Sequence, residues 1–211
     1  MLLEPDSVSD VWFAKGDILH FCSVALNAEA MRRTHRRAVA LAAERGMMVS
    51  FDVNLRFPLW PDAAMLRKAV FDFIPGVHLL KTGVDELLFL TGLSHDESVE
   101  RMLALVPALL VTYGKDGAAL NMRGRCVFHP GYGTPAVDTT GAGDAFVGSF
   151  LASLLEANIS DVTTQDDDHL YAMLERAHAV ASLVVEKKGA INAMPDMEQV
   201  EKFMNEQGNR E

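Results

Sequence analysis

Asp138-Thr139-Thr140-Gly141-Ala142-Gly143-Asp144-Ala145-Phe146 sets a glycine-rich turn directly before an apolar stretch that reads as a helix, about Ala142–Glu156. A helix N-terminus leaves its first amides without intrahelical partners, and the dipole behind them favours negative charge. Glycine lets a backbone come close to a phosphate. The stretch therefore predicts an anion site. Asp144 falls in the first helical turn, beside it. A carboxylate there can take a proton from an attacking hydroxyl while the amides of Gly141, Ala142 and Gly143 stabilise charge on a transferring phosphoryl group. The plainer reading is an ordinary capped helix, in which an acid in the first turn is favourable anyway. A lone Gly-x-Gly-Asp would sit comfortably with that; the nine-residue string argues against it. No Walker A pattern is present, and neither Gly-x-Gly turn is set up as a dinucleotide fingerprint, since Phe146 ends one and Pro135 interrupts the other.

Upstream, short apolar runs alternate with amphipathic ones. Strands are predicted over Ile18–Cys22, Met47–Asp52, His78–Lys81 and Leu109–Thr112. Helices are predicted from an Asn27 cap to about Arg45, from Pro61-Asp62 to about Ile74, over Asp85–Thr91 and from about Asp96 to Val106. Arg123-Gly124 marks a hairpin between Ala118–Met122 and Arg125–His129. After Ala142–Glu156, further helices read over Asp167–Val185 and Met197–Gln207, with the polar Asn158–Asp168 as a loop. The alternation predicts a parallel, doubly wound α/β sheet. Ligands on such sheets gather past the C-terminal ends of strands. Asn54, Glu86 and Gly114 lie there, on one rim.

Composition narrows the classes. The 211 residues suffice for one α/β domain with a sizeable core, and the 49% hydrophobic content with interspersed charges is that of a globular protein. A net charge of −10 disfavours a nucleic-acid partner. Arg32, Arg33, Arg36 and Arg37 read as a solvated helix face rather than a basic patch. Cys22 and Cys126 make neither a disulfide framework nor a zinc pattern, which fits a reducing cytoplasm. The N-terminus carries no signal-peptide pattern, and no apolar segment reaches the roughly 18 residues of a membrane span.

DTTGAGDAF resembles the second signature of the ribokinase-type (PfkB-type) carbohydrate kinases. Other segments agree in order: Ser50-Phe51-Asp52-Val53-Asn54-Leu55-Arg56 with Leu59-Trp60, Lys81–Glu86 with Phe89-Leu90-Thr91-Gly92, Val111–Ala118, Ala177-His178, and Lys187-Lys188-Gly189-Ala190 with Met194-Pro195. The resemblance runs from about Trp12 to the last helix and is greatest to bacterial fructokinases. It implies a ribokinase-like fold, a Rossmann-like parallel sheet flanked by helices. It also implies ATP-dependent phosphorylation of a sugar hydroxyl with Mg²⁺ and K⁺ as cofactors. Asp144 would be the general base, and the amides of Gly141, Ala142 and Gly143 the anion hole. Thr112, Gly114, Gly117 and His178 would meet the nucleotide. Asn54 and Glu86 would order the phosphates and the hydrated Mg²⁺. Asp138 and Thr140, with carbonyls of Val184, Lys187 and Gly189, would hold the monovalent cation. Arg56 is either a ligand for an anionic group or a surface arginine; the residues leave both open.

Two positions depart from the family pattern. Gly83 stands where an Asn or Ser is usual, and Ala193 where several relatives are polar. The family's glycine-rich first signature and small β lid have no counterpart in the sequence, so residues 1–211 read as the C-terminal, nucleotide-binding part of an incomplete domain. Uncovered strands would favour association, and a homodimer is the association to look for in a full-length parent. Fructose is the expected acceptor. 2-Keto-3-deoxygluconate is the close rival, and a catalytically silent nucleotide-binding fragment is the reading from another class.

Overall fold

Valine, leucine and phenylalanine dominate the predicted strands, and strands buried on both faces need such near-continuous apolar runs. The computed structural model, which describes residues 3–208, pairs four of them in parallel. These are β1 (Ile18–Cys22), β2 (Met48–Asp52), β3 (Leu79–Gly83) and β4 (Ala108–Thr112). The hairpin strands β5 (Ala118–Met122) and β6 (Arg125–His129) complete a mixed six-stranded sheet in the order β1-β2-β3-β4-β5-β6. The order follows the sequence without reversal, so these six strands create no switch point of their own. Helices α1 (Glu29–Glu44), α2 (Ala63–Phe73), α3 (Val84–Thr91) and α4 (His95–Leu103) fall between the parallel strands; α5 (Ala142–Glu156), α6 (Asp167–Val185) and α7 (Met197–Gly208) follow the hairpin. None of the described helices is long and apolar enough to cross a membrane.

The chain divides into two compact units. One takes the residues through Thr112 with Leu120–Cys126 and Asn158–Thr164; the other takes Tyr113–Ala119, Val127–Ala157 and the residues from Gln165 on. In the first, every residue of β2 is buried. Phe51 stacks on Phe21 at 4.5 Å between ring centroids, with the edge of Phe73 against Phe21. In the second, α6 packs against both α5 and α7. Ala145, Val184 and Ala193 form one buried apolar cluster there, and Ala179, Val200 and Phe203 another.

Several boundaries depart from the sequence reading. Asn27 does not cap α1. The chain makes a 3-10 turn over Ser23–Leu26, and Ala28 becomes the N-cap. Arg32 explains the delay: its Nη1 donates to the carbonyls of Leu26 (2.8 Å) and Asn27 (3.3 Å), satisfying the end of that turn. α4 stops at Leu103 rather than near Val106; the Leu105 and Val106 amides both close on the Met102 carbonyl, and Pro107 disfavours the helical region for Val106 itself. Asp62 does cap α2, accepting the Met65 amide at 2.7 Å. The arginines of α1 face acids: Arg32 and Arg36 pair with Glu29, Arg33 with Glu4, and Arg37 with Asp10. That is the solvated face expected of them.

Candidate functional site

In the first unit, a charged side chain at the end of β2 faces one in the middle of β3. Asp52 and Lys81 are register partners on β2 and β3, and Lys81 Nζ lies 3.0 Å from Asp52 Oδ2. Both are buried. A charge closing each of two apolar runs was visible in the sequence, but it was assigned no role there. Just beyond them the backbone turns at Asn54, which adopts φ +34°, uncommon for a residue other than glycine. Its carboxamide makes no hydrogen bond among the described residues. Glu86, at the third position of α3, accepts the Leu55 amide on Oε1 (2.6 Å) and the Gly83 amide on Oε2 (2.8 Å). Each carboxylate oxygen proposed for hydrated Mg²⁺ is therefore already engaged by a backbone donor. The Gly83 departure also has a local meaning: Glu86 caps the helix start, and Gly83 has no side chain to return the bond. Thr112 ends β4 with its hydroxyl donating to the Thr82 carbonyl at 3.4 Å. Arg56 is exposed, with one guanidinium nitrogen on the Leu55 carbonyl at 3.0 Å.

The second unit holds the glycine-rich turn. Gly141 is the N-cap of α5 in the left-handed region, φ +81° and ψ −2°. A Cβ on it would stand 2.6 Å from the Ala190 Cβ, so the position demands glycine on two grounds. The Ala142 amide, expected in the anion hole, donates to the Thr139 carbonyl at 3.2 Å and closes the turn. The next two amides, of Gly143 and Asp144, make no hydrogen bond among the described residues. The Asp144 carboxylate is exposed in the same turn. The free donors thus begin one residue later than the motif suggested.

Asp138 ties this turn to the segment after α6. Its Oδ1 accepts the Thr140 amide at 2.9 Å and its Oδ2 the Gly189 amide at 3.2 Å. The hydrogen bonds from Thr140, with that from Gly189, hold its carboxyl below the ordinary carboxylate range. The structure therefore brings Asp138, Thr140 and Gly189 together. The Val184 carbonyl accepts the Lys187 amide at 3.2 Å and the Glu186 amide as well, so both of its lone pairs are engaged. Carboxylate and carbonyl oxygens are the donors a hard cation takes, so the other residues fit a monovalent cation in kind. Ala193 faces away from such chemistry, packed with Ala145 and Val184.

Gly114 and Gly117 shape the turn after Thr112, at φ +62° and +106°. A Cβ on Gly117 would meet the His129 carbonyl at 2.1 Å, so this turn can lie against residues 129–130 only with glycine there. His178 is buried, at 6% exposure. Its ring stacks on His129 (4.9 Å between centroids, 23°) and meets Phe146 edge-on at 4.8 Å. Its Nε2 has no hydrogen-bond partner among the described residues. Burial, with the neighbouring His129, pushes its pKa down to about 4. His178 is thus a neutral core ring, and its partner His129 escaped the sequence reading because a strand residue on a hairpin carries no motif.

The model described as pfkB family carbohydrate kinase matches residues 2–197. Fructokinase-1 of Zea mays is 35% identical over 201 residues, covering 92% of this chain and 60% of the relative. The crystal structure of a fructokinase from Vibrio cholerae O395, in a form with fructose, ADP and calcium ion bound, superposes with a TM-score of 0.88 at 31% identity, over 96% of this chain and 65% of that one. Aminoimidazole riboside kinase from Salmonella enterica, complexed with aminoimidazole riboside and an ATP analog, gives a TM-score of 0.86 at 28% identity, over 96% of this chain and 67% of that one. The chain spans about three fifths of the length of the curated relatives it matches.

Proposed function

Because this chain belongs to the pfkB family of carbohydrate kinases, we propose that the protein it represents transfers the γ-phosphoryl group of ATP to a sugar hydroxyl, with fructose as the acceptor. The observation that carries the reading is the α5 turn, where two unengaged amides and the Asp144 carboxylate share one helical turn. Similarity to fructokinases of Zea mays and Vibrio cholerae supports the choice of sugar. In this reading Asp144 takes the proton of the attacking hydroxyl. The Gly143 and Asp144 amides, with the helix dipole behind them, stabilise charge spread over the phosphoryl oxygens. Gly141 gives the turn its direction. Gly114, Gly117 and Thr112 shape the segment for the nucleotide, and His178 would meet it as a neutral ring. Mg²⁺, when bound with ATP, would neutralise phosphate charge, and Asn54 and Glu86 are the residues that the family resemblance assigns to ordering it. Asp138, Thr140 and the carbonyls of Lys187 and Gly189 would hold K⁺. Arg56 remains the candidate for an anionic group on the substrate side.

A second reading is favoured by the coverage of the relatives: this chain is a nucleotide-binding unit that does not turn over sugar by itself. One experiment separates the two. The purified chain is given ATP, Mg²⁺ and, in turn, fructose, 2-keto-3-deoxygluconate, ribose and aminoimidazole riboside, with ADP release measured and nucleotide binding followed by calorimetry. Fructose-dependent release supports the kinase reading for the chain itself. Binding without turnover on any sugar supports the nucleotide-binding unit. A folded chain that neither binds nucleotide nor turns over rejects both.

A further inference from the structure

The backbone around Asn54 is fixed at three points. The Val53 amide donates to the Lys81 carbonyl at 2.9 Å. The Ser23 hydroxyl donates to the carbonyl of Asn54 itself at 3.2 Å. The Leu55 amide donates to Glu86 Oε1 at 2.6 Å. Between these points Asn54 holds φ +34°, a conformation that side chains other than glycine keep only when their surroundings over-determine it. Two of the three points come from β3 and the start of α3. The Asp52–Lys81 ion pair, one residue before the turn, joins β2 to β3 on the same side. The other oxygen of Glu86 grips the Gly83 amide, so one carboxylate ties the turn after β2 to the helix start after β3. Asn54, half-exposed, keeps its carboxamide out of every one of these bonds.

We infer that Glu86 is a positioning residue, whose carboxylate locks the Val53–Leu55 turn so that Asn54 presents its carboxamide in one fixed direction to the phosphates of a nucleotide. The lock itself rests on the geometry above; its purpose rests on the kinase reading. Glu86 then acts through Asn54 rather than chiefly through a metal ion. A glutamine at position 86 keeps the shape but offers one acceptor and one donor to two amide donors, so one of the two bonds must break.

The test has two arms on the same 211-residue chain. In the ligand-free protein, amide exchange by NMR compares wild type with Glu86→Gln. The lock predicts that Leu55 or Gly83 exchanges roughly ten- to a hundredfold faster, while strand amides such as Phe51 keep their rates. Unchanged rates at both amides overturn the lock. In the second arm, calorimetry measures ADP binding with and without Mg²⁺ in wild type, Glu86→Gln, Asn54→Ala and the double variant. Positioning predicts that Glu86→Gln weakens ADP by about the same factor with and without Mg²⁺, and adds less than about twofold once Asn54 is alanine. A loss confined to Mg²⁺-containing solution and fully additive with Asn54→Ala makes Glu86 a metal-holding residue and overturns the inference. Should Glu86→Gln fail to fold, Glu86→Asp, which keeps both acceptors but falls short by one methylene, is read the same way. A wild-type chain that binds no ADP counts against the kinase reading alone, because the exchange arm still decides the lock.

Discussion

Replacing Gly141 and Gly143 by alanine, one at a time, separates what the α5 turn needs in order to fold from what it needs in order to bind. At Gly141 the backbone is left-handed, φ +81°, which costs an L-residue roughly 1–2 kcal/mol. The new Cβ would also stand 2.6 Å from the Ala190 Cβ and 3.2 Å from its Cα. Carbon atoms rest at about 3.5–4.0 Å, so Ala190 must retreat by roughly 1 Å, and overpacking of this kind costs about 1–3 kcal/mol. The exposed Lys187–Gly189 segment can yield on one side. Ala193, three residues on, cannot, being fixed in the cluster with Ala145 and Val184. A loss of about 2–5 kcal/mol follows, or roughly 4–20 °C in melting temperature for a chain of this size. Gly143 is the opposite case. It is exposed, within the first turn of α5, and not among the positive-φ residues. Alanine there should leave stability unchanged or raise it by up to about 1 kcal/mol, yet its methyl group stands beside an amide meant for a phosphate. ADP binding should weaken about tenfold, a loss of about 1.4 kcal/mol. Thermal unfolding by circular dichroism and calorimetric titration with ADP read the two effects separately. A Gly141→Ala variant melting within about 1 °C of wild type would refute the conformational argument. A Gly143→Ala variant binding ADP within about twofold of wild type would refute the placing of phosphate at this turn.

Three further outcomes are expected. Asp144→Asn, assayed in whichever form of the protein turns over sugar, should lower phosphoryl transfer about 10²–10⁴-fold with ADP affinity nearly unchanged; near-normal turnover removes Asp144 as the base. His178→Phe should flatten the acid side of the stability profile measured by urea unfolding. Because burial lowers the folded-state value from 6.5 to about 4, the unfolded chain takes the proton first. The stability is full above pH 6.5 and is lost as pH falls toward 4, by roughly 3 kcal/mol at that end; equal wild-type and variant slopes between those limits would sink the argument. Lys81→Met leaves the buried Asp52 carboxylate without the ammonium 3.0 Å away, and should destabilise by about 3–5 kcal/mol in the same assay; a loss under about 1 kcal/mol would show that the pair contributes little.

What could be read from the sequence was whatever a local rule fixes. The hairpin was legible because Arg123-Gly124 supplies a two-residue turn between five-residue strands, and Gly124 takes φ +73° there. Helices α5 and α6 were legible because a left-handed glycine precedes one, and an acid that accepts the His169 amide at 2.9 Å precedes the other. The start of β3 was not. His78 reads as a strand residue, and its amide does donate to the Val49 carbonyl at 2.9 Å, but its ring Nδ1 accepts the Val49 amide at 3.0 Å. A side chain takes the place of a ladder carbonyl, and the regular strand begins one residue later. The same kind of substitution moved the start of α1, where the Arg32 guanidinium closes the preceding turn. No propensity scale contains such bonds, since they depend on which segment the fold brings alongside.

The candidate site divides along the same line. Motif spacing placed Asp144 in the first turn of a helix, because that follows from where the glycine lies. It could not say which amides remain free, because the Ala142 amide is taken by a carbonyl only three residues back, and a turn of that kind is a matter of backbone torsion rather than residue type. Glu86 makes the contrast stronger. In the fold it stands third in α3, one place deeper than the predicted start at Asp85, and so caps the helix, while Gly83 in front of it reads from the sequence as the loss of a polar side chain. In the folded chain that carboxylate spans two segments 31 residues apart in sequence, and the residue it disciplines is Asn54. A glutamate that caps one helix and fixes the turn beside another strand has two reasons to be a carboxylate, neither of which requires a metal ion. Charge alone therefore cannot assign it to Mg²⁺; the coupling between positions 86 and 54 can.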